Sequence, residues 1–116
     1  MRFMLTKKDI IALNQEFDTG TVINEASLDF AISYAKRTTN WPKALAFLVR
    51  AILLDHVFEE GNKRTAALLV KYYAELKNCS TNDGDVAKLV QKIVLKNIVD
   101  IIKIEEMIKD AIRKCP

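Results

Sequence analysis

"KALAFLVRAILLDH", residues 43–56, is apolar on nearly every side of the helix its composition favours. A helix on a protein surface keeps a polar face, whereas one that is hydrophobic all round belongs inside a core. The stretch therefore predicts a central, buried helix around which the rest of the chain packs. Just before it, "TTNWPK" (residues 38–43) interrupts any earlier helix, because Pro42 cannot continue one and suits a first-turn position in the next. Just after it, "VFEEG" (residues 57–61) reads as a short connection.

Working outward, "LTKKDIIALNQEF" (residues 5–17) opens with Thr6 as an N-cap and Asp9 as the acidic member of a capping box. Ile10, Leu13 and Phe17 then repeat at helical spacing, predicting a first helix over about residues 7–17. "DTGTVIN" (residues 18–24) holds Gly20 as a breaker and three β-branched residues in a row, so a loop or short extended flap is expected at about residues 19–25. "EASLDFAISYAKR" (residues 25–37) places Leu28, Ala31, Ile32 and Ala35 on one helical face. "NKRTAALLVKYYAELKN" (residues 62–78) does the same with Ala66, Leu69, Val70 and Tyr73. After a turn at "CSTNDGD" (residues 79–85), "VAKLVQKIVLKN" (residues 86–97) and "VDIIKIEEMIKDAIRK" (residues 99–114) read as two more amphipathic helices. No internal repeat, low-complexity tract or linker interrupts the pattern. The expectation is a single all-α domain over residues 1–116, built of six helices with a short flap between the first two.

Composition agrees. Half of the 116 residues are hydrophobic, 28% are charged, and there are only three Gly and two Pro, a globular balance weighted toward helix. A net charge of +3 fits a solvated lysine-rich surface better than a nucleic-acid footprint, so no direct nucleic-acid contact is expected. Cys79 and Cys115 form no CxxC and share no metal spacing with His56, the single histidine. They are read as two buried or idle thiols in a reducing cytosol. "MRFMLTKKD" lacks the apolar stretch of a secretory signal, and "IVLKNIVDIIKI" (residues 93–104) is interrupted by Lys96, Asp100 and Lys103. A soluble, cytoplasmic protein without membrane contact is expected.

The chemistry concentrates in "HVFEEGNKRTAAL", residues 56–68. A helix starting at Asn62 puts Lys63 and Arg64 in its first turn, where positive charge opposes the macrodipole by roughly 0.3–1 kcal/mol each. An anion would relieve that conflict. The free N–H groups of a helix N-terminus form an anion site, Gly61 lets backbone approach a ligand closely, and Asn62 can cap the helix or offer its amide. Lys63 and Arg64 supply a point charge and a planar fork, both suited to phosphate. Glu60 would repel a polyphosphate unless Mg²⁺ lay between them, a cation that takes one or two carboxylates plus phosphate oxygens. His56 is then the imidazole placed to take a proton from an attacking hydroxyl. Phe58 is read as a core anchor holding the loop down.

In that order the residues resemble the signature of the Fic/Doc family, His-x-Phe-x-acid-Gly/Ala-Asn-x-Arg. Lys63 and the following Thr65-Ala66 resemble the Doc branch; Fic enzymes usually carry Gly at the place of Lys63 and a second Arg at the place of Ala67. The opening helix, the flap and the two closing helices extend the resemblance over nearly the whole chain. It implies a compact helical fold with His56 as general base, Phe58 as buried anchor and Glu60 as Mg²⁺ ligand. Gly61, Asn62, Lys63 and Arg64 would bind the phosphates of ATP. It further implies γ-phosphoryl transfer to a Ser or Thr hydroxyl of a target protein, a translation elongation factor for Doc, and growth arrest held in check by an antitoxin in trans. The chain has no Ser/Thr-x-x-x-Glu-Gly/Asn motif of the self-inhibiting kind.

Three alternatives stay open at this level. One is transfer of AMP, as in Fic enzymes. Another is a metal-independent ribonuclease of the HEPN kind, since Arg50 and His56 stand in Arg-x5-His spacing. The third is a catalytically silent binding module.

Overall fold

The computed structural model describes residues 5–116. Met1–Met4, and with them the start of the stretch read as carrying no secretory signal, lie outside the described residues. Among the described residues six helices build the fold: α1 (Lys7–Asn14), α2 (Glu25–Arg37), α3 (Trp41–Leu54), α4 (Asn62–Leu76), α5 (Asp83–Leu95) and α6 (Ile101–Ala111). Two short strands, β1 (Ser80–Thr81) and β2 (Ile112–Arg113), pair antiparallel. The expected all-α domain is what forms. No helix among the described residues is long and apolar enough to cross a membrane.

α3 is the axis of the fold. Eight of its fourteen residues are buried, among them Leu45, Leu48, Val49, Ile52 and Leu53, and it packs against α2, α4, α5 and α6. Around it, Leu28, Ala31 and Ile32 of α2 face inward. Leu69, Val70 and Tyr73 of α4 do so as well, and Trp41 at the start of α3 stacks on the Tyr73 ring at 5.8 Å. Asn40 fastens two of these layers together. Its Oδ1 caps α3 by accepting from the Lys43 N–H, while its Nδ2 donates to Glu105 of α6 at 2.9 Å. Glu105 is buried, and the Lys109 ammonium one turn later completes its shell at 3.0 Å.

Helix ends depart from the sequence reading in informative ways. α1 has the expected Thr6–Asp9 capping box but stops at Asn14, three residues early, and Phe17 lies outside it. Asn14 is buried, and its side chain bonds to backbone distant in sequence, so residues 15–18 fold into tight turns instead of another helical turn. α3 begins earlier than residue 43, with Pro42 in its first turn, and ends at Leu54, leaving His56 in a loop. α6 ends at Ala111, short of the expected residue 114, because residues 112–113 turn into β2 and pair with Ser80–Thr81.

That pairing also corrects the reading of the cysteines. With Ser80 opposite Arg113, Cys79 and Cys115 flank the same two-stranded ladder, and they are joined in a disulfide across 36 residues. Sequence spacing could not reveal this, since the register of β1 on β2 is what brings the sulfurs together.

Candidate functional site

The flap and the loop after α3 are built together. Val22 forms a β-bridge with Phe58, the Ile23 and Asn24 N–H groups donate to the Val57 carbonyl at 2.8 and 3.2 Å, and the Glu59 N–H donates to Thr21 at 3.0 Å. Val57 and Phe58 are fully buried, so the loop is anchored from below by side chains and from the side by the flap. His56 makes the turn into this segment with a φ of +49°, in the left-handed region. Asn78 and Asn97 share that region just past the ends of α4 and α5, where such a residue commonly terminates a helix. His56 holds the same place just past the end of α3, and its exposed imidazole lines a cleft.

Asn62 closes the loop from the other side. Its Nδ2 donates to the Phe58 carbonyl at 2.8 Å and its Oδ1 accepts from the Phe58 N–H at 3.0 Å. The side chain therefore staples residues 58–62 and does not cap its own helix. The N-cap of α4 is Gly61, at φ +76°, with no side-chain cap. The other five helices are each capped by a side chain: Thr6, Asn24, Asn40, Asn82 and Asp100. Thus the first-turn N–H groups of α4 are left for solvent or a ligand, in a helix whose first turn holds Lys63, Arg64 and no acid.

A cleft of about 520 Å³ opens at this helix end. His56, Glu60, Gly61, Asn62, Lys63 and Arg64, the residues singled out from the sequence, all line it, together with Asp18 and Glu59. Lys63 and Arg64 are exposed and, among the described residues, neither has a carboxylate within ion-pair distance. Arg64 lies over the Phe17 ring at 5.9 Å. The cleft holds charge of both signs: the cations and bare N–H groups of α4, and the carboxylates of Asp18, Glu59 and Glu60. No group of three or more His, Cys, Asp and Glu side chains suited to a metal occurs among the described residues. A cation in the cleft would therefore need oxygens from its ligand as well as from the protein.

Two site residues escaped the sequence reading. Asn14 donates its Nδ2 to the Glu60 carbonyl and to Thr65 Oγ1, both at 3.0 Å, and accepts from the Gly20 N–H at 2.8 Å. One buried amide thus joins the end of α1, the flap, the loop and the first turn of α4. The signal was present, since Asn14 lies one turn after Ile10 on the inward stripe of α1, where a polar side chain needs partners. Asp18 carried no such signal; its Oδ2 lies 2.9 Å from where a Cβ on Gly61 would stand. Arg50 and His56, the spaced pair of the ribonuclease alternative, open onto different clefts: Arg50 lines a groove between α2 and α3 and donates to the Val99 carbonyl.

Fold and site together define an all-α protein in which an uncapped helix N-terminus and a histidine line one cleft. Comparison with models of known families, with curated proteins and with solved structures matched nothing.

Proposed function

We propose that this chain is a Doc-like toxin of the Fic/Doc class that transfers the γ-phosphoryl group of ATP to a Ser or Thr hydroxyl of a target protein. The observation that carries the reading is the meeting, in one cleft, of His56 with an uncapped helix N-terminus bearing Lys63 and Arg64. Phosphoryl transfer asks the protein mainly for positioning and charge neutralisation, and this cleft offers both.

In the proposed reaction His56 accepts the proton of the target hydroxyl. That oxygen bonds to the γ-phosphorus, the bond from the γ-phosphorus to the bridging oxygen breaks, and ADP leaves with the electron pair. Arg64 and the first-turn N–H groups of α4 hold phosphate oxygens, and Lys63 meets the outer phosphates. Asn62 keeps the loop in shape through Phe58. The carboxylates of the cleft, with Asp18 beside Gly61 and Glu60 next to it in sequence, would suit Mg²⁺, which takes one or two carboxylates alongside phosphate oxygens. Bound there, Mg²⁺ would offset phosphate charge.

A translation elongation factor is the first target to test. An antitoxin in trans would act by laying an amphipathic helix over the cleft beside the flap. The test compares γ-³²P-ATP with α-³²P-ATP in the presence of Mg²⁺ and the elongation factor. Label should pass to the target from γ-³²P-ATP alone, and His56→Ala should lower it by about 10²–10⁴-fold without loss of helical circular dichroism. Label from α-³²P-ATP would mean AMP transfer instead, and unchanged labelling by a folded His56→Ala protein would remove the assignment.

A further inference from the structure

α2 and α3 run antiparallel, since Ser27 pairs with Asp55 at one end and Tyr34 stacks on Phe47 further along. Between them lies a groove of about 300 Å³. Its floor is a row of rings: Phe30 to Tyr34 at 4.8 Å and Tyr34 to Phe47 at 5.1 Å, with Phe30 62% exposed. Two guanidinium groups lie over these rings, Arg50 within the groove lining and Arg37 beyond it against Tyr34. Arg37 lies 5.3 Å from the Tyr34 ring and Arg50 lies 5.8 Å from the Phe47 ring. Among the described residues neither pairs with a carboxylate, whereas Lys7, Lys71, Lys109 and Arg113 all do. Arg64, held over Phe17 in the phosphate cleft, is the third arginine in the same state.

The groove has a direction. At one end Asp55 accepts from Ser27, and the next residue is His56. Arg37 stands ten helical residues beyond Ser27, roughly 15 Å along the axis at 1.5 Å per residue. An extended peptide covers that distance in about four to five residues.

We propose that this groove docks an acidic segment of the protein that receives the phosphoryl group. The segment lies extended, its apolar side chains on the ring row and its carboxylates on Arg50 and Arg37. The acceptor hydroxyl leaves the groove at the Asp55 end, toward His56. This rests on the phosphotransfer reading and adds to it a recognition rule: an acid about four to five residues from the modified Ser or Thr.

Binding and transfer are measured separately so that the two ideas can fail independently. Fluorescein-labelled peptides carry a Glu pair, or a Lys pair, about four to five residues from a Thr, with Leu between. Without ATP, the Glu peptide should bind at least about tenfold tighter than the Lys peptide at low salt, and the difference should shrink as salt rises. Arg37→Glu and Arg50→Glu should each abolish the preference, and Phe30→Ser should weaken both peptides. Arg37 makes no side-chain hydrogen bond within the described residues, so its variant tests the groove even where Arg50→Glu disturbs packing. Equal affinity for the Glu and Lys peptides, or a Glu preference untouched in folded Arg37→Glu, overturns the proposal. So does a dimer that Phe30→Ser dissociates in sedimentation, or a preference for a single-stranded oligonucleotide lost in the same variants. Acidic-peptide binding without label transfer keeps the groove and removes the phosphotransfer reading. Equal transfer to both peptides, with KM unchanged in the arginine variants, keeps the reaction and removes the groove.

Discussion

Gly61 meets two demands at once. Its φ of +76° is in the region where a side chain is strained, and a Cβ there would sit 2.9 Å from Asp18 Oδ2 and 3.2 Å from Asn14 Nδ2. Gly61→Ala should therefore cost about 1–2 kcal/mol in urea melts. Because the nearest atom is the end of a flexible carboxylate, adding Asp18→Ala should recover part of that loss; strict additivity in the double-mutant cycle would show that backbone strain alone matters. Glu105 gives a pH counterpart far from the cleft. The Lys109 ammonium, then the Asn40 amide, hold its carboxyl below the ordinary carboxylate range. With the folded value depressed, its stabilising contribution is present above the unfolded value and lost as pH falls from about 4.3 through the lower folded value. Thermal melts of Glu105→Gln should show a weaker loss of Tm across that acid window than the natural protein; parallel curves would assign the acid sensitivity to other carboxylates.

Elements were legible where periodicity governs them, and the site was legible where its residues adjoin in sequence. α2, α3 and α4 announce themselves through apolar stripes, and His56 to Arg64 fall within nine residues, so spacing alone could group them. Asn14 could not be grouped that way, because its bonds reach Glu60 and Thr65, 46 and 51 positions away. The end of α1 was misplaced for the same reason: tertiary hydrogen bonds to Asn14 outweigh the local preference that would carry the helix to Phe17. At this scale α4 is the element under conflict, with two cations in an uncapped first turn. Lys63→Gln should raise stability by about 0.3–1 kcal/mol at low salt, with the gain fading as salt is added, because it removes a charge that the macrodipole opposes. The same substitution should weaken binding of inorganic pyrophosphate, measured by titration calorimetry. A loss of stability would mean that Lys63 pairs with Glu59 or Glu60 in solution. A gain in stability joined to a loss of anion binding is what a helix end kept basic for a ligand should give.

For the molecule as a whole, the Cys79–Cys115 bond matters through the unfolded chain. It closes a loop of 36 residues that takes in α5 and α6, and such a closure removes freedom from the unfolded ensemble worth roughly 2–4 kcal/mol. Against a total stability of about 5–15 kcal/mol, that is a large share. The native contacts around it do not need the bond, since the Arg113 guanidinium reaches Asp85 at 2.8 Å and Ser80 Oγ donates to the Arg113 carbonyl at 3.1 Å. Reduction should therefore lower Tm, by roughly 10 °C for a chain this size, and leave the folded structure in place. The Cys79→Ser/Cys115→Ser double variant should melt with the reduced protein and show no further response to reductant. Nucleotide binding should be unaffected in both, because α4 runs its full fifteen residues, roughly 22 Å, between Cys79 and the helix end that lines a cleft with His56. A reduced protein that keeps its melting temperature would place the two thiols apart in solution. One that folds normally but loses ATP binding would show that the C-terminal ladder acts on the cleft through α4, against the independence argued from distance.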